Sequence, residues 1–268
     1  DGIDLPRARE LATEALAVQE RALGPDHTDV AETLDILANL HRMDGRYDVA
    51  LAMHTRALAI WETSIGTDNP TFAMALDHVS RDLGDLGRLD EAIAAAERVE
   101  RIFAQTLDPE HPALIQSRAR LGSFYRDAGD LARARSLLDG ARAHCEKLYG
   151  PDSREMMEIV IELARLEVSR GAWAAASGLY ERALALAAAQ PDSATMLPRL
   201  RAEIAELRVE GLSHLGGVCV DPLIDEAGQE RPGSDGDFLD ARCQVDLAAA
   251  FGDGLDHLVG DAAGGHAV

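Results

Sequence analysis

Apolar side chains along this chain recur three and four residues apart, which is the spacing of one face of an α-helix. One such segment ends near Met43, and Asp26 or Thr28 is expected to cap its first turn; its apolar face comprises Leu34, Leu37, Ala38 and Leu40. A partner helix is expected from about Arg46 to Ile65, with the inward-facing residues Tyr47, Ala50, Met53, Ala57, Leu58 and Trp61. Gly45 lies between the two, where a helix C-terminus favours a left-handed backbone. The pattern predicts a pair of helices joined by a tight turn.

This helix pair recurs with a period of 42 residues. The turn glycines are Gly45, Gly87, Gly129 and Gly171, and small residues follow five positions later as Ala50, Ala92, Ala134 and Ala176. A second column consists of Ala57, Val99, Ala141 and Ala183. Because small side chains let helices approach closely while larger neighbours fill the remaining space, these columns predict tightly packed pairs. Several columns at one period identify a repeat protein.

The register of the repeat divides the chain into seven segments. Residues 1–22 are the second helix of a truncated repeat; 23–65, 66–107, 108–149 and 150–190 are four complete repeats; 191–212 hold the first helix of an incomplete fifth repeat; and 213–268 form an acidic tail. Because the first segment begins inside a repeat, we interpret the sequence as a fragment of a longer protein or as a processed chain.

The tail differs from the repeats in composition. It holds nine Asp and two Glu against two Arg, a net charge of −9, together with ten of the 23 glycines. We expect a mostly disordered segment, because so few apolar residues cannot offset the entropy of ordering the chain. A shifted reading frame or a false terminus would produce the same break in the pattern.

Composition narrows the possible classes of function. The 268 residues carry a net charge of −21, with 47% hydrophobic but only 4% aromatic residues. The apolar fraction is that of a folded protein, and the negative charge makes nucleic acids and membrane surfaces poor partners. Three cysteines cannot form a disulfide framework, which favours a reducing compartment and a cytoplasmic location. No segment approaches the roughly 20 consecutive apolar residues that a membrane span requires.

The sequence carries no catalytic or metal-binding signature. It has no phosphate-binding Gly-Lys loop, no Cys-x-x-Cys pair and no His-Glu-x-x-His motif. His27 and His111 lie in repeat linkers whose matching positions hold Asn69 and Ser153, so a turn or capping role is expected rather than zinc binding. Cys145 is expected to be a buried, inert thiol. We therefore expect a protein that is not an enzyme and that has no cofactor and no metal site.

Three runs of the first complete repeat carry a more specific signal: Gly45-Arg46-Tyr47-Asp48-Val49-Ala50, Arg56-Ala57-Leu58-Ala59-Ile60-Trp61-Glu62 and Leu23-Gly24-Pro25-Asp26-His27. They resemble the tetratricopeptide repeat in its 42-residue, kinesin-light-chain-like form, and the resemblance covers about residues 1–211. It implies an all-α fold, a right-handed α-solenoid of antiparallel helix pairs, followed here by the low-order C-terminal tail. It also implies a protein-binding scaffold with a concave groove lined by the first helix of each repeat.

The resemblance places a candidate peptide-binding groove on these first helices. Its residues are Asp35, Asn39, Arg42, Asp77, Arg81, Arg120, Ser123, Arg126, Glu162 and Arg165. The two adjacent asparagines with which kinesin light chains hold extended peptides are replaced by Asp35 and Ile36 in the first complete repeat. The recurring arginines suit the carboxylates of an acidic peptide. The alternative is that they pair with nearby Asp and Glu on a solvated helix face.

These observations lead to the hypothesis of non-catalytic protein or peptide binding, with an acidic peptide as a candidate partner and neither nucleic acid nor membrane as one. A different class of function stays open, in which the repeats are the regulatory or sensor module of a larger signalling enzyme, a kinase or NTPase, with its catalytic domain upstream. Self-association through the exposed ends of the helix array is a third alternative.

Overall fold

The described part of the chain is a succession of α-helices. The computed structural model describes residues 4–190, 197, 198 and 200–205, and within them it contains no strand. The named helices are α1 (Leu5–Leu23), α2 (Thr28–Met43), α3 (Tyr47–Ile65), α4 (Pro70–Asp85), α5 (Leu89–Thr106), α6 (Ala113–Asp127), α7 (Leu131–Tyr149), α8 (Arg154–Ser169) and α9 (Trp173–Ala188). Residues 197, 198 and 200–205 are also helical. The predicted tail, with Cys219 and Cys243, lies outside the described residues.

Consecutive helices pack against one another. Two compact units are distinguished, Asp1–Pro151 and Asp152–Val268. In the first, each helix from α1 to α7 packs on the next; in the second, α8 packs on α9. The chain reverses after each first helix within a turn of three residues, 44–46 between α2 and α3 being one example. The predicted all-α fold of helix pairs is confirmed.

The turn at Gly45 shows why glycine recurs at this place. Gly45 has φ +72°, a left-handed conformation that costs a residue with a Cβ atom about 1–2 kcal/mol. Its N–H donates to the Arg42 carbonyl at 2.9 Å, and the next N–H, that of Arg46, donates to the His41 carbonyl at 3.0 Å. This pair of hydrogen bonds ends the helix and satisfies carbonyls that would otherwise lack partners. The predicted left-handed glycine is confirmed.

Gly87→Ala should lower the free energy of unfolding by about 1–2 kcal/mol, because Gly87 also has a positive φ, +72°. Gly140→Ala is the matched control. Gly140 lies inside α7 with no atom near the position of an added Cβ, so alanine there should raise stability by about 0.5–1 kcal/mol. Urea unfolding followed by circular dichroism measures both changes, and a shift of the same sign in both variants would contradict this explanation.

The first helices α2, α4 and α8 are capped at their N-termini by linker residues that share one repeat position. The Asn69 side chain accepts a hydrogen bond from the Phe72 N–H at 3.0 Å, and Ser153 accepts from the Met156 N–H at 3.3 Å. In α2 the capping residue is His27, not Asp26 or Thr28 as predicted. Its Nδ1 accepts from the Asp29 N–H at 3.2 Å, because an imidazole nitrogen with a free lone pair can replace a hydroxyl or amide oxygen there.

The core consists of the two columns of small residues and the large apolar side chains that pack between them. Ala50, Ala92, Ala134 and Ala176 are each fully inaccessible to solvent, and the second column is buried as well. Phe72, Leu138 and Leu163 are among the largest fully buried side chains. The Cys145 side chain is buried, as predicted. Among the described helices, none has the length and apolar character needed to cross a membrane.

Candidate functional site

The ten residues predicted to line the groove share a degree of burial. Four first helices carry them, α2, α4, α6 and α8, and all ten are partly buried. A side chain of this kind is held by its neighbours but can still contact a ligand from solution. Their role in binding stays a prediction.

Three pairs of side chains connect neighbouring first helices at the same interval. Asp35 of α2 contacts His78 of α4 at 2.5 Å, Arg42 of α2 contacts Asp85 at the end of α4 at 3.4 Å, and Asp77 of α4 contacts Arg120 of α6 at 2.9 Å. Each pair is separated by 43 residues, which is one repeat plus one position. Hydrogen bonds and ion pairs between side chains therefore connect α2 to α4 and α4 to α6.

Most of the predicted arginines have acidic partners. Arg120 pairs with Asp77, and Arg126 pairs with Asp127 at 2.8 Å. In the second unit, Arg165 pairs with Glu162 at 2.7 Å and with Glu203 at 2.7 Å. The Ser123 hydroxyl donates to its own helix, at the Arg120 carbonyl. For these arginines the alternative interpretation from the sequence, local ion pairing on a partly solvated face, describes what the structure contains.

The ion pairs of α8 also change the proton affinity of neighbouring groups. Burial alone would lower the pKa of Arg165, but its hydrogen bond to Glu203 and the charge of Glu162 raise it overall. Burial together with the charge of Glu203 raises the pKa of the Tyr180 phenol to about 12. Both groups therefore keep their protons at neutral pH and stay hydrogen-bond donors.

Arg81 differs from the other arginines of the predicted groove. It lies on α4 between Arg42 and Arg120, and among the described residues no hydrogen bond or ion pair to its guanidinium is found. Its Nε is buried and unpartnered. Burial lowers the pKa of Arg81, and the charges of Arg120 and Arg42 lower it further, against a smaller opposing effect of Asp77 and Asp85. A guanidinium stays charged under such conditions, so Arg81 is a partly buried cation for which no ion pair is found among the described residues.

A cavity of about 310 Å³ opens on the same face. It lies among α2, α3 and α4 and is lined by Glu32, Asp35, Ile36, Trp61, Thr71, Met74, Ala75 and His78. Ile36 and Met74 are each 56% exposed, among the most exposed large apolar side chains of the described residues. The cavity offers an apolar rim with polar groups below it, which is the usual composition of a ligand site.

Beside this cavity, two histidines and two aspartates form a cluster. This cluster was not predicted from the sequence. His54 of α3 is 2% exposed and Asp82 of α4 is fully buried, and they are joined by a 2.5 Å contact between Nδ1 and Oδ2. The other ring nitrogen, Nε2, lies 3.5 Å from Asp35 Oδ1, and the His54 and His78 rings are 5.1 Å apart. Asp35 was predicted as a groove residue, whereas the other three were not.

The pKa of Asp35 reflects this environment. Burial raises the pKa of the carboxyl, but the hydrogen bond from His78 and the nearby imidazoles and Arg81 lower it, and the net pKa lies below the ordinary value. Asp35 is therefore an anionic acceptor at neutral pH. Its Oδ2 also accepts from the Asn39 amide at 3.2 Å, which holds the carboxylate in place.

A larger cavity, of about 490 Å³, lies among α5, α6 and α7. None of the ten predicted residues lines it. Tyr125 donates a hydrogen bond to Glu97 at 2.5 Å, which raises the pKa of the phenol, and Arg133 lies over its ring at 5.1 Å. Tyr125, Glu97 and Arg133 are therefore already engaged with one another in this cavity.

The linker histidines have the role predicted for them. His27 caps α2, and His111 Nδ1 accepts a hydrogen bond from the Ala113 N–H at 3.2 Å. Neither belongs to the His54–His78 cluster, and both serve the local structure of a turn.

The chain is similar to known repeat proteins. One family model described as "Tetratricopeptide repeat" matches residues 4–63 and 116–189, and a second with the same description matches residues 72–113. A crystal structure of a kinesin light chain-like protein with nearly identical TPR-like repeats, from Podosopora anserina, aligns at a TM-score of 0.59 and 25% identity over 69% of this chain and 87% of that chain. BtubC (BKLC) from P. vanneervenii aligns at a TM-score of 0.57 over 89% of this chain and 98% of that chain. With 15% identity, the second shows the fold alone. No curated protein sequence matches the chain significantly.

Proposed function

Because this chain belongs to the tetratricopeptide repeat family, we propose that it is a non-catalytic scaffold that binds a protein or peptide segment along α2, α4 and α6. In this proposal Arg81 receives a carboxylate of the bound segment. The fold and its kinesin light chain-like neighbours support the general role of a protein-interaction scaffold. The choice of this face and of an acidic partner is our inference.

The observation that carries the proposal is that, among the described residues, no hydrogen bond or ion pair to the Arg81 guanidinium is found. A partly buried guanidinium that makes no ion pair has lost some hydration without gaining a hydrogen-bonded partner in return. A carboxylate from a ligand would supply two parallel hydrogen bonds to the fork of the guanidinium, which is the strongest common form of such a contact. Arg42 and Arg120, on the neighbouring first helices, are already paired with Asp85 and Asp77, which leaves Arg81 as the arginine able to receive a ligand carboxylate. The groove therefore favours an acidic side chain or a C-terminal carboxylate at this point.

The neighbouring cavity supplies the apolar part of the interaction. Ile36 and Met74 border it, and Trp61 forms part of its wall. A segment that placed an apolar side chain there would cover these exposed groups. The proposed ligand is thus a peptide that combines an apolar residue with an acidic one.

The net charge of −21 does not exclude an acidic ligand. Ionic screening limits the reach of a surface charge to about 8 Å at physiological salt. A ligand carboxylate at Arg81 therefore responds mainly to the three nearby arginines and the aspartates that flank them. The overall charge should slow association at low salt more than it weakens the bound state.

Arg81→Ala should weaken the binding of acidic peptides by roughly tenfold or more, because a hydrogen bond to a charged group contributes about 1.5–3 kcal/mol. The probes are fluorescein-labelled 12-residue peptides that alternate leucine with glutamate, and a matched set with glutamine in place of glutamate. Fluorescence anisotropy gives the affinity, and the wild-type protein should prefer the glutamate peptides.

Arg88→Ala is the control, since Arg88 precedes the second helix α5, is exposed and pairs with Glu91. This variant should bind the glutamate peptides as the wild type does. Equal affinities of wild type and Arg81→Ala for these peptides, or no preference for glutamate over glutamine in the wild type, would refute the proposed role of Arg81.

A further inference from the structure

Three helices bring together side chains that commonly bind transition-metal ions. Asp35 comes from α2, His54 from α3 and His78 from α4, and one donor atom of each lies within 4.8 Å of the other two. The spacing in sequence, 19 and 24 residues, matches no linear metal-binding motif. The convergence is produced by the packing of α2, α3 and α4.

His54 is oriented as a metal ligand would be. His54 Nδ1 lies 2.5 Å from Oδ2 of the fully buried Asp82, and in the tautomer that donates to this carboxyl group the lone pair is on Nε2. That Nε2 atom is buried and has no hydrogen-bond partner among the described residues. A carboxylate that fixes the tautomer of a histidine in this way is the usual support of a metal-binding imidazole. The unpartnered nitrogen points to a ligand that accepts a lone pair.

The Asp35 carboxylate is also held in place by a neighbouring side chain. Asn39 donates hydrogen bonds to the Asp35 backbone carbonyl at 3.0 Å and to Asp35 Oδ2 at 3.2 Å, which leaves Oδ1 directed at the two histidines. With neutral imidazoles, Asp35 and Asp82 give the cluster a formal charge of −2. A divalent cation would balance that charge, and two imidazole nitrogens favour zinc over calcium or magnesium.

We propose that Asp35, His54 and His78 form a zinc-binding site below the cavity between α2 and α4, with Asp82 and Asn39 orienting its ligands. The ligand atoms of a tetrahedral zinc ion lie roughly 3.3–3.5 Å apart, because each bond is about 2.0–2.2 Å long. The distance of 3.5 Å between His54 Nε2 and Asp35 Oδ1 already fits. The 2.5 Å contact between Asp35 and His78 would have to open by roughly 1 Å.

Three protein ligands leave the fourth position of the ion open. Asp35 and His78 both line the cavity, so this position would face it and take a water molecule. The proposal replaces the expectation from the sequence that the chain has no metal site. It does not depend on peptide binding at Arg81, which is not among the ligands.

The test is a titration of the full-length protein, treated with EDTA and dialysed, with Zn²⁺ in a calorimeter and with Co²⁺ followed by visible absorption. His78→Gln and Asp35→Asn remove ligands that are partly exposed, so both variants should fold, as circular dichroism will show. We expect one saturable site in the wild type and at least a tenfold loss of affinity in each variant. Bound Co²⁺ should give the intense visible bands of a four-coordinate ion, and the same variants should lose them.

His27→Asn is the control, because it removes a histidine while placing at this linker position the residue found at Asn69, which caps α4. It should bind zinc as the wild type does. The proposal is overturned if the wild type shows no saturable binding. It is equally overturned if the His78→Gln and Asp35→Asn titrations coincide with that of the wild type, since any zinc would then be bound elsewhere on the chain.

Discussion

Replacing His54 with leucine should lower the free energy of unfolding by about 3–5 kcal/mol, because it leaves the fully buried Asp82 without its partner. The loss of one member of a buried hydrogen-bonded pair is among the largest effects of a single substitution, since the remaining carboxyl group has neither water nor a hydrogen bond. The measurement is urea unfolding in EDTA, which keeps any metal from contributing.

The double variant His54→Leu with Asp82→Leu should recover most of that loss. One repeat later the same positions hold Ala96 and Phe124, both buried, so this register accepts apolar side chains. Replacing a complete buried polar pair with apolar residues is often neutral or stabilising. A double variant that is no more stable than the single His54→Leu variant would contradict the view that the cost comes from an uncompensated carboxylate.

Phe72→Ala should also cost about 3–5 kcal/mol, the usual range for removing a fully buried aromatic ring. Phe72 of α4 is 1% exposed and packs in one cluster with Val99, Phe103 and Leu114 of the next two helices. The Arg98 guanidinium lies over its ring at 5.0 Å, so the substitution removes that contact too. The cavity would lie at the centre of three successive helices.

Phe72→Leu is the control for this substitution, since one repeat later the same position holds the buried Leu114. It should cost clearly less than alanine. Trp61 packs against the same cluster, so its fluorescence reports unfolding of this region when Trp173 is replaced by phenylalanine. Because repeats contact only their neighbours, the loss should appear in Trp61 fluorescence at lower urea than in total helicity. Equal stability of Phe72→Ala and Phe72→Leu would contradict the packing described here.

Much of the fold could be predicted because the information is local and recurs. The turn at Gly45 needs a left-handed residue, the columns of Ala50 and Ala57 need small side chains, and each requirement reappears 42 residues later. The boundaries of α2 and α3 were accordingly predicted to within about a residue at Met43 and Ile65. The N-cap residue of α2 was not predicted correctly, because the imidazole of His27 accepts the hydrogen bond that a side-chain oxygen usually accepts at this position.

The histidine cluster was missed although the repeat contains a signal for it. The position of His54 is occupied in later repeats by Ala96, Leu138 and Tyr180, all buried. The position of Asp82 is likewise apolar elsewhere, with leucine or phenylalanine. The fold places these two repeat positions next to each other. A polar residue at both positions of one repeat therefore indicates two side chains that hydrogen-bond to each other. Comparing each column for such departures would have found them.

The state of the arginines could not be derived from the sequence. Arg81 and Arg120 look alike along the chain, but the partner of Arg120 is Asp77, on another helix 43 residues away. Which arginine finds a carboxylate depends on the offset between neighbouring first helices, and that offset is a property of the packed structure. The sequence predicted an arginine-lined face, and the structure singles out one arginine on it.

The central claim, that a partner binds the face formed by the first helices, is tested most directly by site-specific photo-crosslinking. A photoreactive phenylalanine derivative is placed at Met74, on the cavity rim of α4, or at Ala94, an exposed position of the second helix α5. With the labelled leucine–glutamate peptide, cross-linking should occur from position 74, should be competed by unlabelled peptide, and should be absent from position 94. Competable cross-linking from position 94 and none from position 74 would contradict the claim.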